Sequence, residues 1–166
     1  MERFLPGPAA TEALGRELAR VLAGRSPVPA LLLSGPLGAG KTTLVRALVE
    51  ALPGAEGAEV ASPSFNILNL YPTTPPVAHF DLYRLEGLPP GEEFLELAGD
   101  GTTLLVVEWS EHLPPDLVPD PALTLRLTPR GTGRAAKIEA VQDTARAALT
   151  ALNQALTQDA SSPDAP

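Results

Sequence analysis

A chain of 166 residues without a single cysteine has room for one buried core and no means of building a disulfide framework or a thiolate metal site. Its 20 acidic against 12 basic residues leave a net charge of −8, which opposes unaided binding to a phosphate backbone. No apolar run approaches the ~20 residues of a membrane span, and Met1 to Pro6 lacks the basic-then-apolar layout of a signal peptide, so a cytoplasmic protein with no membrane contact is expected.

Thr11 to Leu22 places Leu14, Leu18, Val21 and Leu22 on one face, the spacing of an amphipathic helix, with Thr11 as its N-cap and an end near Gly24. Ala30 to Ser34 is an apolar run of buried-strand length. Thr42 to Leu52 then carries Leu44, Val45, Leu48, Val49 and Leu52 at helical spacing until Pro53-Gly54 stops it. Between them, Gly35-Pro36-Leu37-Gly38-Ala39-Gly40-Lys41-Thr42 fits G-x-x-x-x-G-K-[ST], the pattern of a phosphate-binding loop.

That chemistry needs glycines, because the loop must turn its backbone N–H groups inward around phosphate oxygens at positive φ. The helix N-terminus adds further N–H groups and the positive end of its dipole. Lys41 would be a point charge for the β- and γ-phosphates, and the Thr42 hydroxyl a ligand for Mg²⁺. A Gly-rich turn that happens to precede a helix would match the same spacing. Against it, Lys41 and Lys137 are the only lysines among the 12 basic residues, and one of them falls where the motif demands it. Pro36 has no N–H to offer, but it stands at the loop entry, where a missing donor matters least.

Residues 54 to 61 read as a mobile surface loop, and Ser62-Pro63-Ser64-Phe65 leads from it into a strand over 66 to 71. Ser64 either reaches Mg²⁺ or the γ-phosphate, as a switch segment does, or belongs to an ordinary turn closed by a buried Phe; the residues alone favour the turn. After a turn at 72 to 76, Val77 to Tyr83 reads as a strand. Asp81 near its end could orient a water or bind the metal, and equally could cap a helix or pair with Arg84. His79 reads as a half-buried structural histidine, since no second His nearby supports a metal site. Gly91 to Ala98 makes a short helix around Phe94, Leu95 and Leu97, capped by Gly99.

Thr103 to Glu108 is a second fully apolar strand, and it ends in a carboxylate, the arrangement by which phosphate-loop proteins hold Mg²⁺ opposite the loop Thr. Trp109 reads by default as a packing residue, with stacking or a partner contact as the alternative. Leu123, Leu125 and Leu127 alternate with polar residues, Arg130 to Gly133 turns the chain, and Arg134 to Ala140 forms the partner strand. On that reading Arg134 is an exposed edge charge. A closing helix is predicted from Gln142 to Leu156, inside a single domain over 1 to 157, with a disordered tail at 158 to 166. The fold class expected is α/β: one P-loop NTPase domain with a mixed central sheet, helices on its faces, and a C-terminal hairpin and helix.

Gly-Pro-Leu-Gly-Ala-Gly-Lys-Thr-Thr (35 to 43), Ser-Pro-Ser-Phe (62 to 65), His-Phe-Asp-Leu-Tyr-Arg-Leu (79 to 85) and Glu-Trp-Ser-Glu (108 to 111) together resemble the TsaE family, also called YjeE, over about residues 8 to 155. The resemblance implies a small ATPase component that acts with TsaD and TsaB in bacterial synthesis of the threonylcarbamoyl modification on the tRNA adenosine next to the anticodon. TsaD and TsaB would carry the transfer chemistry, and tRNA would be met only through them. It further implies that Gly38, Ala39, Gly40, Lys41, Thr42 and Thr43 wrap the phosphates of ATP and that Thr42 and Glu108 hold Mg²⁺. Asp81 would serve hydrolysis, Thr11 would neighbour the adenine, and Arg134 would contact the nucleotide.

Two positions depart from the family pattern. It has Asp where Pro36 stands and Thr where Ser64 stands, and at the second the hydroxyl, with any metal-linked role, survives. The alternatives are a small-molecule kinase, which would need an arginine-bearing lid where only Arg126, Arg130 and Arg134 cluster, and a nucleotide-switched adaptor without significant turnover. Guanine selection by an Asn-Lys-x-Asp motif is disfavoured, because Lys137 sits in Ala-Ala-Lys-Ile.

Overall fold

In the computed structural model, which describes residues 1–56, 58–61, 67–86 and 88–159, the predicted alternation of apolar runs and amphipathic helices becomes one sheet with helices on its faces. In chain order the elements are β1 (Glu2–Leu5), α1 (Pro8–Ala23), β2 (Ala30–Ser34), α2 (Lys41–Glu50), β3 (Leu68–Tyr71), β4 (Val77–Asp81), α3 (Glu92–Gly99), β5 (Leu104–Glu108), β6 (Ala122–Arg130), β7 (Gly133–Ala140) and α4 (Arg146–Asp159). The seven-stranded sheet runs β1-β7-β6-β2-β5-β4-β3.

Every residue of β2, β4 and β5 is buried, as strands covered on both faces require. These three are parallel neighbours, with β6 also parallel to β2, while β3 and the β6-β7-β1 meander pair antiparallel at the two sides. Leu33 of β2 and Asp81 of β4 both stand opposite Glu108 of β5. The carboxyl ends of the central strands therefore open on one edge, the place where α/β sheets bind ligands.

Side chains on one face of the sheet pack under α1, α2 and α4, including Leu14, Leu18, Leu44, Leu48 and Leu152 against Leu31, Leu33, Val106 and Leu125. The other face packs Leu32, Phe80, Leu105 and Val107 against Phe94 of α3. There the Phe80 and Phe94 rings meet edge to face at 5.1 Å. Helices α1 and α2 lie so close that a Cβ on Gly15 would come 2.5 Å from the carbonyl oxygen of Leu44. That contact fixes α2, and with it the loop before it, against α1.

Several boundaries differ from the sequence expectation. Helix α1 starts at Pro8 behind an N-cap at Gly7, because Pro at the first turn needs no N–H partner. Thr11 is therefore not the cap but a fully buried helical residue, its hydroxyl donating to Gly7 O at 3.4 Å. Strand β4 ends at Asp81, since Leu82 to Leu85 close a turn in which Leu85 N–H donates to Leu82 O at 3.0 Å. Gly99 is the last residue of α3, and the cap position is Asp100. Gln142 does not enter α4: its side chain accepts from Ala122 N–H at 3.1 Å and donates to Pro119 O at 2.9 Å, and a 3₁₀ turn over Asp143–Ala145 precedes the helix.

Helix α4 runs on to Asp159, taking in the first residues assigned to the tail, and 160–166 lie outside the described residues. Strand β1 was not expected, being too short to show a period before Pro6; it is held by β7, with Glu2 opposite Lys137. In the 54–61 loop Val60 is buried, and its carbonyl accepts from Arg46 Nε at 3.2 Å. Ser64 lies outside the described residues. Among the described residues no helix is long and apolar enough to cross a membrane.

Candidate functional site

The turn between β2 and α2 is built by glycine. Gly40, the N-cap of α2, has φ 100°, and a Cβ there would run into the guanidinium of Arg134. Arg134 reaches across from β7, and its Nη1 donates to Ala39 O at 2.9 Å. An arginine that the strand pattern alone made an exposed edge charge is thus half-buried and braces the back of the loop.

Opposite the loop, Glu108 ends β5 almost fully buried, with both carboxylate oxygens engaged. The Thr42 hydroxyl donates to Oε2 at 3.2 Å, and His79 Nε2 lies 3.0 Å from Oε1. Since a carboxylate only accepts, Nε2 is the donor in the second contact. His79 is not half-buried but fully buried, its ring stacked 6.4 Å from that of Tyr71. Asp81, buried beside Glu108, accepts the N–H of Tyr83 at 3.0 Å, so it does cap a local turn while also facing the cleft.

Lys41 Nζ donates to Gly35 O at 2.6 Å and Pro36 O at 3.2 Å, and lies 3.8 Å from the centre of the Trp109 ring. Burial lowers the pKa of this ammonium, against the carboxylates of Glu108, Glu111 and Asp81, which raise it. Trp109 has a left-handed φ of 57°, uncommon outside glycine. Tyr83 and His112 flank its ring with centroids 4.9 Å and 5.9 Å away, and His112 Nδ1 is tied to Leu82 O at 2.9 Å. The half-buried tryptophan is therefore more than packing, since it forms a wall of the cleft.

The cleft has a volume of about 380 Å³; residues 37–43 form one side, and Asp81, Tyr83, Arg84, Glu108 and Trp109 the other. Of the residues singled out from sequence, Gly38, Ala39, Gly40, Lys41, Thr42, Thr43, Asp81 and Glu108 line it together. Arg134 touches the loop from behind. Thr11 does not line the cleft, although its methyl would lie 3.7 Å from a Cβ on Gly40. The sequence pattern assigns His79 a structural role only, and Tyr83 none at the site. The signal for His79 was period-two spacing, which puts it on the same face of β4 as Asp81.

Backbone N–H groups at a helix N-terminus, a lysine and a glycine turn are suited to a polyanionic phosphate chain. Two oxygen donors 3.2 Å apart, Thr42 Oγ1 and Glu108 Oε2, suit a hard divalent cation that completes its shell from phosphate and water.

Comparison with known proteins agrees with this geometry. A family model described as threonylcarbamoyl adenosine biosynthesis protein TsaE matches residues 5–137. The chain is 44% identical over 118 residues to the tRNA threonylcarbamoyladenosine biosynthesis protein TsaE of Streptomyces coelicolor, covering 69% of this chain and 76% of that one. It is 38% identical over 112 residues to the protein of the same name from Aquifex aeolicus, covering 67% and 77%. A crystal structure of Bacillus subtilis YdiB superposes with a TM-score of 0.72 at 26% identity, covering 93% of this chain and 95% of that chain.

Proposed function

This chain belongs to the TsaE family of tRNA threonylcarbamoyladenosine biosynthesis proteins, and from that premise we propose that it is an ATP hydrolase, dependent on Mg²⁺, that turns over slowly alone and acts with TsaD and TsaB. One observation carries the reading: the loop threonine and the strand-end carboxylate, Thr42 and Glu108, meet at 3.2 Å in the cleft that the phosphate loop opens. Thr42 and Glu108 would hold Mg²⁺, which when bound neutralises charge on the phosphate oxygens.

The protein's own groups supply the rest by position and charge. The N–H groups from Gly38 to Thr43 would cradle the phosphates, and Lys41 would turn its ammonium from the carbonyls of Gly35 and Pro36 to the β- and γ-phosphates. Asp81, next to Glu108 in register and facing the cleft, would orient the attacking water and receive its proton. Arg134 would hold the loop in shape through Ala39 O and reach the nucleotide from behind it. The kinase alternative loses ground on geometry, because Arg134 is committed to the loop and Arg130, opposite Gly133 at the hairpin turn, lies 3.7 Å from Glu2. An ATPase with a net charge of −8 need not grip tRNA itself, and we propose that TsaD and TsaB do so in the cytoplasm.

The test is phosphate release from Mg·ATP by the purified chain, alone and then with TsaD, TsaB and tRNA, with Lys41→Ala as the blank. Slow turnover that rises with the partners is expected. Turnover that the partners leave unchanged would remove the proposed partnership, and tight ATP binding with no turnover in any mixture would make the protein a nucleotide-switched adaptor.

A further inference from the structure

We propose that His79 is a positioning residue for the metal site, a role that rests on reading Glu108 as a Mg²⁺ ligand. His79 sits at the centre of β4 and is fully buried, on the face that also carries Val77 and Asp81. Its Nε2 donates to Glu108 Oε1 at 3.0 Å, while Thr42 holds Oε2 at 3.2 Å. The histidine thus comes from the sheet side and the threonine from the loop side, and between them they set the plane of the carboxylate. Without His79, Oε1 of the nearly fully buried Glu108 would lose its hydrogen-bond donor, and the carboxylate would be held by Thr42 at one oxygen only.

The second ring nitrogen supplies an independent argument. His79 Nδ1 is buried with no hydrogen-bond partner among the described residues. A histidine kept only for core stability would be expected to satisfy both nitrogens, because an orphaned buried polar atom costs stability. An apolar residue at this position would avoid that cost. What an apolar residue cannot do is donate to Glu108, and a hydrogen bond that orients a metal-binding carboxylate is the usual work of groups just behind a metal site.

The role predicts a split between nucleotide and metal binding. Equilibrium binding of ATP is measured calorimetrically in EDTA, and Mn²⁺ binding to the complex with a non-hydrolysable ATP analogue is followed by its electron spin resonance signal. His79→Leu is expected to raise the Mn²⁺ concentration at half-saturation by about 10–100-fold while leaving ATP affinity in EDTA unchanged. His79→Gln, which keeps a donor near the Nε2 position, should recover most of that loss. Two results would overturn the proposal: His79→Leu with wild-type Mn²⁺ binding, or an equal loss of ATP affinity with and without metal, which marks a purely structural residue. If the leucine variant does not fold, His79→Asn, whose amide stops short of Glu108, takes its place with the same two outcomes. A wild-type protein whose nucleotide complex binds no Mn²⁺ would remove the metal-site reading together with this inference.

Discussion

The ammonium of Lys41 stands 3.8 Å from the centre of the Trp109 ring while it donates to Gly35 O and Pro36 O. Phosphate would compete with those carbonyls for the same N–H groups, so binding should draw the cation away from the ring face. Trp109 is the only tryptophan, and its emission is therefore expected to change on titration with ADP or ATP. Lys41→Met should shift the starting emission and abolish most of the response. Unchanged emission at nucleotide concentrations where calorimetry records saturation would contradict this arrangement.

Asp81 and Glu108 are register neighbours in one cleft but should separate kinetically. Asp81→Asn is expected to keep ATP affinity within about threefold and to slow hydrolysis by about 10²–10⁴-fold, the usual worth of a positioned general base. Single-turnover measurements on preformed complexes decide it. A variant that hydrolyses at the wild-type rate would take Asp81 out of the mechanism.

Gly15 of α1 lies tight against the backbone of α2. A methyl there would lie 2.5 Å from Leu44 O and 3.1 Å from Ala47 Cβ, and backbone cannot swing aside as a flexible side chain can. Gly15→Ala should cost about 1–3 kcal/mol, which for a domain of this size lowers Tm by about 2–4 °C per kcal/mol. Helix propensity alone would predict a gain. Calorimetric unfolding that shows a higher Tm would mean that α1 and α2 can move apart freely.

Asp100 offers a pH signature away from the cleft. Burial raises its pKa, but hydrogen bonds from the Thr103 hydroxyl, Thr103 N–H and Thr102 N–H outweigh that and hold it below its ordinary 3.8. A folded pKa below the unfolded one adds stability that is fully present above pH 3.8 and is lost as pH falls through the depressed value. Asp100 is exposed, so solvent weakens these bonds, and Asp100→Ala should lower Tm by about 2 °C or less at neutral pH. The gap to wild type should close below pH 3.8. A gap that persists undiminished in acid would assign the effect to packing.

The sequence by itself determined whatever depends on a contiguous stretch. The phosphate loop lies within Gly35–Thr42, the limits of β2 match the apolar run Ala30–Ser34, and Glu108 is the last residue of its own strand. In each case backbone sterics and burial act over a few neighbouring residues, so pattern and structure coincide. The loop motif and the strand-end carboxylate already imply that Thr42 and Glu108 share a site, but the contacts by which distant groups meet there were decided by the tertiary structure. Thr42 meets Glu108 across 66 positions, His79 meets Glu108 across 29, and Arg134 meets Ala39 across 95. Those contacts depend on strand order and register, which no local spacing encodes. The same reason turns His79 from a structural histidine into a partner of Glu108, whereas Thr11 moves from a helix cap to the buried core because α1 starts earlier, at Pro8.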